Sequence, residues 1–468
     1  MTESTNRRVG YIEAFRQPEV RNLAQSHGAA RLAMATVSYG TMVSLASHGA
    51  AQWEISLVSA STYLSAVLFG VQGGILADSL SKRVSIAGGY IVIAALYLAL
   101  PVMFGAGIGQ LLVVMFLSSA IMQVVTPSLK SAVALVSKPR DVAVVATSVS
   151  MISSIASALG SSFLAPILIK VTSLNVLLVV ASLILAVGAW ETLKLPKTEH
   201  GAALRDAVRQ VGWREHMFSL RRMAAWLDNY RWVGVLLLVG AIAVSLNEAL
   251  NTLIPLYVRH VLDSDPTNTV YIFAPAGIGY LAGMLLTPLL IDRIGSRKLA
   301  LISVFIMSGS MILLGLIDIV TPFVAPFSPL RLVGALFDLH INDKVLAAST
   351  IAMPANFGST AAGSSVQTFI NRRVPLAQQG ATFGVQEVLE NSATLVLILL
   401  AGVISGLVGP RMVFVVAPIV AFALVLWLIV YSFRVAAHQQ IRVSDAWHEL
   451  TNSDDPGAPD STPGTPTP

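Results

Sequence analysis

Residues 74–83, GILADSLSKR, join two long apolar segments and place one acid, Asp78, ahead of two bases in a short turn. A second stretch of the same design, PLLIDRIGSRK at residues 288–298, ends another apolar segment with Asp292 followed by bases. The two aspartates are separated by close to half of the 468 residues. A repeat at this spacing predicts two homologous halves built from the same set of helices.

This repeated pattern resembles the loop between the second and third spans of the Major Facilitator Superfamily, roughly G-x-L-a-D-R-x-G-R-K, which returns in weaker form between spans eight and nine. Ser79 and Ser81 stand where that family has a base and a glycine, and Pro288 stands at the first glycine position of the second copy. The residues that match, and that the resemblance implies for gating, are Gly74, Asp78, Lys82, Arg83, Asp292, Arg293, Gly295 and Arg297.

The composition indicates a membrane protein with many spans. Hydrophobic residues make up 55% of the chain and charged residues 12%, and the mean hydropathy is +0.73. A soluble protein of this length needs more polar surface. The chain has no Cys, which excludes disulfides, thiolate metal sites and a Cys nucleophile. No phosphate-binding loop or catalytic set is visible, so we expect neither an enzyme nor a cofactor.

Segments long enough to cross a bilayer, about 20 residues each, recur along the chain. They are 29–47, 55–77, 84–104, 108–136, 142–168, 173–192, 232–258, 270–291, 299–318, 345–368, 380–408 and 411–433. We therefore expect an all-α fold of twelve transmembrane helices in two pseudo-symmetric six-helix bundles, 29–192 and 232–433. The remaining parts are an N-terminal segment 1–28, a linker 193–231 and a largely disordered tail 434–468.

The positions of the bases predict the orientation. Most of the 30 Lys and Arg residues fall in the two termini, the linker and the loops on one side of the predicted spans. The positive-inside rule then places both termini in the cytoplasm of a protein of the cell (inner) membrane, and residues 319–344 outside. The bases thus suit membrane lipids, and no nucleic acid is expected as a partner. The linker is either an amphipathic helix on the inner surface or a plain solvated connection.

Glu248 is the acid that most needs an explanation, because an ionisable group inside a bilayer is costly. The seventh predicted span starts at Trp232, and Glu248 lies 16 residues further along the helix. At helical rise this distance places Glu248 beyond the midplane of the membrane. Asn247 and Asn251 lie on the same stretch of helix. Glu248 either exchanges the coupling proton during transport or lies in a wet outer vestibule.

Other charges in or near the spans have simpler explanations. Arg31 and Lys130 lie near the inner ends of their spans, where long basic side chains reach the headgroups. Glu387 and Glu390 either pair with Arg297 or Arg83 as a cytoplasmic latch, or form a solvated first helical turn.

The substrate cavity is expected at the middle of the membrane, where Tyr39, Gln123, Asn247, Asn251, Asn356 and Phe357 offer polar or aromatic groups. Residues 353–358, MPANFG, read as a break in the tenth span and make it the preferred cavity wall. The alternative is that these residues only hold helices together.

The chain is most similar to bacterial drug and macrolide exporters within the superfamily. That resemblance implies proton-coupled efflux of amphipathic or lipophilic small molecules by a monomer, and we expect a cavity without a charge cluster. A lipid or lysolipid flippase, a nutrient importer and a non-transporting receptor are the alternatives. The resemblance also implies that Asp78 meets the start of the eleventh helix, residues 380–383, when the cytoplasmic side is closed.

Overall fold

The computed structural model describes residues 15–104, 107–137, 142–195, 231–337, 341–373 and 376–438. Most of the predicted linker and most of the predicted tail lie outside these described residues, as does the side chain of Asp78.

The N-terminal half consists of six long helical segments that pack as one bundle. They are α1 Pro18–Ser47, α2 Gln52–Ser79, α3 Lys82–Ala99, α4 Ile108–Val136, α5 and α6 Leu174–Leu193. A π-helical turn, Leu100–Phe104, continues α3. The segment α5 runs as Val142–Leu159, a π-helical turn at Gly160–Leu164, and Ala165–Val171. The turn begins at Gly160, where an added Cβ would press on the carbonyl oxygen of Leu32 in α1.

The C-terminal half repeats this arrangement. Its long helices are α7 Arg231–His260, α8 Thr269–Ile294, α9 Ser296–Gly315, α10 Asp343–Arg373, α11 Leu376–Val408 and α12 Pro410–His438. A 3-10 turn, Pro266–Asn268, precedes α8. No strand occurs in the described ranges, so the predicted all-α fold is confirmed.

Two of the long helices, α1 and α10, are more polar than the rest. Nine helices in the described part of the chain are long and apolar enough to cross a membrane by length and composition. The helices α1 and α10 are just as long, with 30 and 31 residues, but are not among the nine. Because α1 lines the central cavity, and α10 packs against both α8 and α9, their polar groups are covered by protein rather than by lipid.

Several predicted boundaries change in the structure. The first helix begins at Pro18, well before the predicted span, because proline suits the first turn of a helix. The predicted break at residues 353–358 is wrong, since α10 runs unbroken through Pro354. Gly358 serves packing instead, because a Cβ there would press on the backbone of Ser303 in α9. The amide of Asn356 donates to the carbonyl oxygen of Ala352, 3.1 Å away, within the same helix.

The described part of the connection 319–344 contains short helices. Pro322 lies inside Ile317–Val324, a 3-10 turn follows at Ala325–Phe327, and Pro329 begins Pro329–Phe337. Pro326 and Pro329 therefore lie at the starts of helical pieces, where proline is tolerated although it cannot donate a backbone hydrogen bond.

The two acid-base loops turn in different ways. Gly295 alone separates α8 from α9, with φ at +83°, a conformation that favours glycine. In the first copy two residues, Leu80 and Ser81, separate α2 from α3, and Ser81 has an ordinary extended φ of −64°. The serine that replaces the expected glycine therefore costs no backbone strain.

Candidate functional site

A cavity of about 460 Å³ lies between the two halves. The N-terminal half contributes residues of α1 to α5, and the C-terminal half contributes residues of α7, α8 and α11. We call the side of the membrane where both acid-base loops lie the motif side, and the opposite side the far side. The cavity extends from the middle of the helices toward the motif side, where Arg31 of α1 and Glu387 of α11 line it.

The far side is closed by contacts that cross between the halves. Arg259, at the end of α7, donates to the carbonyl oxygen of Ala46 in α1 at 2.5 Å. Lys170, at the end of α5, donates to Asn268 at 2.9 Å. Gly402 of α11 packs so closely on Ser56 of α2 that an added Cβ would collide with it. The structure is therefore a far-side-closed form.

An aromatic contact closes the far-side end of the cavity. The ring of Tyr39 in α1 meets the ring of Phe273 in α8 edge to face, with centroids 4.9 Å apart. Both residues line the cavity. This contact joins the two halves at the cavity wall, and such aromatic pairs contribute beyond the area that they bury.

The charges of the cavity are divided between its two walls. Arg31 belongs to the N-terminal half, while Glu248 and Glu387 belong to the C-terminal half. Arg31 acts electrostatically on Glu248. The hydroxyl of Tyr63 in α2 donates to Oε2 of Glu248 at 3.2 Å, across the boundary between the halves. A carboxylate held in this way can accept a proton or face a positively charged group of a substrate.

The structure separates the predicted cavity residues and the proton-coupling candidate Glu248 into groups. Tyr39, Gln123, Glu248 and Asn251 line the central cavity. Asn247 and Asn356 line a small apolar cavity of about 30 Å³ beside it, which Asn251 also touches. Phe357 lines neither of these cavities, and its backbone lies against Gly283 where α8 and α10 pack.

Two described contacts of the second acid-base loop lie within the C-terminal half. Asp292 pairs with Arg372 of α10 at 3.2 Å, and both side chains are well exposed. The guanidinium of Arg297 lies over the ring of Phe369, 4.9 Å from its centroid. Arg293 is exposed.

One described contact of the first acid-base loop is local. Lys82 donates to the carbonyl oxygen of Ala77 at 2.6 Å. Arg83 is partly exposed, and an added Cβ at Gly74 would meet no atom within 4 Å. The predicted contact between Asp78 and the backbone at residues 380–383 depends on the Asp78 side chain, which lies outside the described part of the structure.

Two cavity residues were assigned lesser roles by sequence reasoning. Arg31 was expected only to reach the headgroups, but it lines the cavity. The predicted pairing of Glu387 with Arg297 or Arg83 is replaced by a contact with Lys130 of α4 at 3.8 Å. The expectation of a cavity without a charge cluster is therefore wrong. The spacing of Arg31, Ala35, Ser38 and Met42 on one helical face could have indicated the wall that α1 forms.

The fold agrees with comparisons to known proteins. A variant of the nucleoside transporter NupG superimposes with a TM-score of 0.62 at 14% identity, covering 87% of this chain and 99% of that one. A D-xylose-proton symporter gives a TM-score of 0.64 at 13% identity, covering 87% and 96%.

A POT family transporter in complex with 5-aminolevulinic acid gives a TM-score of 0.61 at 14% identity, covering 88% of this chain and 96% of that one. At these identities the likeness shows the fold alone. No curated protein sequence matches the chain significantly. The sequence profile of the Major Facilitator Superfamily matches residues 28–341, about two thirds of the chain. This multi-pass membrane protein belongs to the Major Facilitator Superfamily, a family of transporters.

Proposed function

We propose that the protein is a proton-coupled secondary transporter that moves an amphipathic small molecule through the central cavity by alternating access. The observation that carries this proposal is the position of Glu248. It lines the cavity and its carboxylate accepts a hydrogen bond from the opposite half. An acid that touches both the cavity and the partner half can link proton binding to the conformational equilibrium.

The walls of the cavity favour a molecule with an apolar body and a charged or polar end. Four methionines line it, Met34, Met42, Met115 and Met122. Flexible thioether side chains adapt to apolar groups of different shapes. The charges of Arg31, Glu248 and Glu387 would instead bind polar ends. This combination supports an amphipathic substrate and argues against a purely lipophilic one.

Efflux is the direction that we propose, on the resemblance of the acid-base loops to those of drug exporters. The second candidate is proton-driven import of a polar solute. The charged and hydroxyl-rich cavity favours it, and one structural neighbour is a D-xylose-proton symporter. In both cases the motif side would be cytoplasmic, in the cell (inner) membrane, because the loop bases lie there.

The experiment begins with a ligand. A thermal-shift screen of purified protein would identify compounds that bind the folded chain, since a ligand of the native state raises its unfolding temperature. Liposomes containing the protein would then be given a pH gradient of either sign. Uphill movement of the ligand toward the more acidic compartment indicates antiport, and movement away from it indicates symport.

The Glu248→Gln variant tests the coupling. Gln cannot ionise, so we expect uphill movement to stop while exchange of labelled for unlabelled ligand continues. Glu19→Gln, an exposed change in the first turn of α1, is the matched control and should transport like the unaltered protein. Uphill transport by Glu248→Gln at the unaltered rate would rule out Glu248 as the coupling acid.

A further inference from the structure

Two hydrogen bonds join α2 to α7 across the boundary between the halves, one helical turn apart. Tyr63 donates to the carboxylate of Glu248 at 3.2 Å. One turn away on each helix, the hydroxyls of Ser59 and Thr252 lie 3.2 Å apart. We call Ser59, Tyr63, Glu248 and Thr252 the α2–α7 ladder. Ser59 and Thr252 are buried.

The direction of the second bond follows from a count of protons. The hydroxyl of Thr252 donates to the backbone oxygen of Glu248 at 2.9 Å. A hydroxyl has a single proton, so Ser59 must donate to Thr252. In both hydrogen bonds that cross the boundary, the donor therefore lies on α2 and the acceptor lies on α7. The two bonds differ in one respect, which is that the carboxylate acceptor can be protonated and the hydroxyl acceptor stays neutral.

We propose that Tyr63 is a positioning residue that transmits the ionisation state of Glu248 to the contact between the halves. Ionised Glu248 holds α2 and α7 together and keeps the far side closed, and protonation of Glu248 loosens the contact and favours opening to the far side. This inference rests on the proposed role of Glu248 in proton coupling and adds the conformation that each protonation state favours.

The physical reason is the strength of the Tyr63 bond in the two states. A hydrogen bond to an ionised carboxylate is about twice as strong as one between neutral groups. The far-side-closed form contains this bond, and a form in which α2 and α7 separate at the cavity does not. Protonation of Glu248 therefore weakens the closed form relative to the open one, and the equilibrium shifts by that difference. The Ser59–Thr252 bond contributes equally at every pH at which neither hydroxyl ionises.

Other titratable and charged groups surround Glu248 and must be separated from Tyr63. Arg31 of α1 acts on it electrostatically, and Glu387 of α11, Tyr39 of α1 and Tyr97 of α3 line the same cavity. Arg31 lies on the same half as Tyr63, so it too could link the ionisation of Glu248 to closure. Tyr63→Phe keeps Arg31 and removes only the hydroxyl, which makes it the discriminating variant.

The test uses the labelling of a single cysteine in a chain that has none of its own. Ser56 is 1% exposed and lies under Gly402 at the far-side boundary. A membrane-impermeant maleimide should therefore reach Ser56→Cys only when the halves part on that side. Ser173→Cys, at an exposed position in the turn between α5 and α6 on the far side, corrects for the effect of pH on the thiol itself. The corrected rate is measured in full-length protein in sealed liposomes across a range of pH.

We expect labelling of Ser56→Cys to rise roughly fivefold as Glu248 becomes protonated. With Tyr63→Phe added, the rate should be high and independent of pH. With Ser59→Ala added, the rate should rise at every pH while its pH dependence remains. Retained pH dependence in Tyr63→Phe, or loss of it in Ser59→Ala, would overturn the role of Tyr63.

Glu248→Gln separates this inference from the proposed function. If this variant loses uphill transport while Tyr63→Phe keeps the pH dependence of labelling, the coupling role of Glu248 stands and the ladder fails. If Glu248→Gln transports uphill like the unaltered protein, the proposed function itself fails. The ladder predicts that Glu248→Gln and Tyr63→Phe both show fast labelling at all pH values.

Discussion

The far side and the motif side of this transporter are held together by different kinds of contact. On the far side, the halves meet through a glycine packed on a buried serine and through Arg259 bonded to a backbone oxygen. On the motif side, the described ion pair between the halves is Lys130 with Glu387, at 3.8 Å and with side chains 71% and 53% exposed.

The contacts on the two sides should contribute different amounts of free energy to holding the halves together. Buried, close-packed contacts and hydrogen bonds to charged groups contribute more than an exposed ion pair. The packing of α5 shows the same difference, because its far-side part contacts α8 while Val142–Leu159 makes no comparable described contact with α8. The far-side contacts should therefore set the conformational equilibrium, and changes there should affect transport most.

The largest effect is expected from Gly402→Leu. A side chain at this position would collide with Ser56, so the far side could not close. Transport measured in liposomes should fall by roughly a hundredfold or more, as for a locked conformation. Gly406→Leu, one helical turn along α11, is the control, because an added Cβ there meets no atom within 4 Å. Equal activity of the two variants would show that the Gly402 contact does not close the far side.

A smaller effect is expected from Arg259→Gln. This change removes a charged donor from the carbonyl oxygen of Ala46, near the end of α1. A hydrogen bond to a charged group contributes about 1.5–3 kcal/mol, so labelling of Ser56→Cys from the far side should rise at least roughly tenfold. Arg259→Lys keeps the charge and should give an intermediate rate. An unchanged rate in Arg259→Gln would remove this bond from the closing contacts.

The motif-side pair should matter less. Lys130→Met breaks an exposed ion pair whose contribution is about 1 kcal/mol or less. Transport and labelling of Ser56→Cys should therefore change by roughly fivefold or less. A loss of transport as large as that of Gly402→Leu would mean that the motif-side pair, and not the far side, limits the cycle.

The smallest effect on transport is expected from an ion-pair network that stays within one half. Asp318 pairs with Lys344 at 3.1 Å and with Arg411 at 2.6 Å. The hydrogen bond to Lys344 is the main reason that the pKa of the Asp318 carboxyl is lowered. The same bond raises the pKa of Lys344. All three residues belong to the C-terminal half, so Asp318→Asn should leave the equilibrium between the halves unchanged.

The network should instead affect stability, with a defined dependence on pH. A lowered carboxyl pKa stabilises the fold above the ordinary Asp value of about 3.9, and the effect is lost as the pH falls through the lowered value. Asp318→Asn should lower the unfolding free energy at neutral pH by about 1 kcal/mol or less. In thermal unfolding, the difference from the unaltered protein should shrink as the pH falls below the ordinary Asp value of about 3.9 and on through the lowered pKa. A difference that persists or grows in acid would contradict this account.

The all-α fold could be predicted from the sequence because it depends on patterns that repeat along the chain. Apolar segments of bilayer length and the two acid-base loops identify the helices and the halves. The break expected at residues 353–358 was wrong because proline and glycine in a helix sequence can mark either a break or, as Gly358 does here, a close packing contact. A sequence shows that Gly358 lacks a side chain but not that the backbone of Ser303 occupies the space.

The candidate site was less accessible to sequence reasoning. Glu248 stood out because of its depth, but Arg31 did not, since a base near a helix end can reach the headgroups. Whether its side chain turns outward or into the cavity depends on the packing of α1 against other helices, which a single sequence does not contain. The pairing of Tyr63 with Glu248 joins residues 185 positions apart, and no local pattern links them.

Alternating access of a single cavity is tested most directly by labelling from both sides. Gln123→Cys reports the cavity from the motif side, and Ser56→Cys reports the far-side boundary. We predict that Gly402→Leu raises far-side labelling of Ser56→Cys and lowers motif-side labelling of Gln123→Cys. Opposite changes at the two positions are the result that the account requires. Labelling that rises at both positions, or changes at only one, would contradict it.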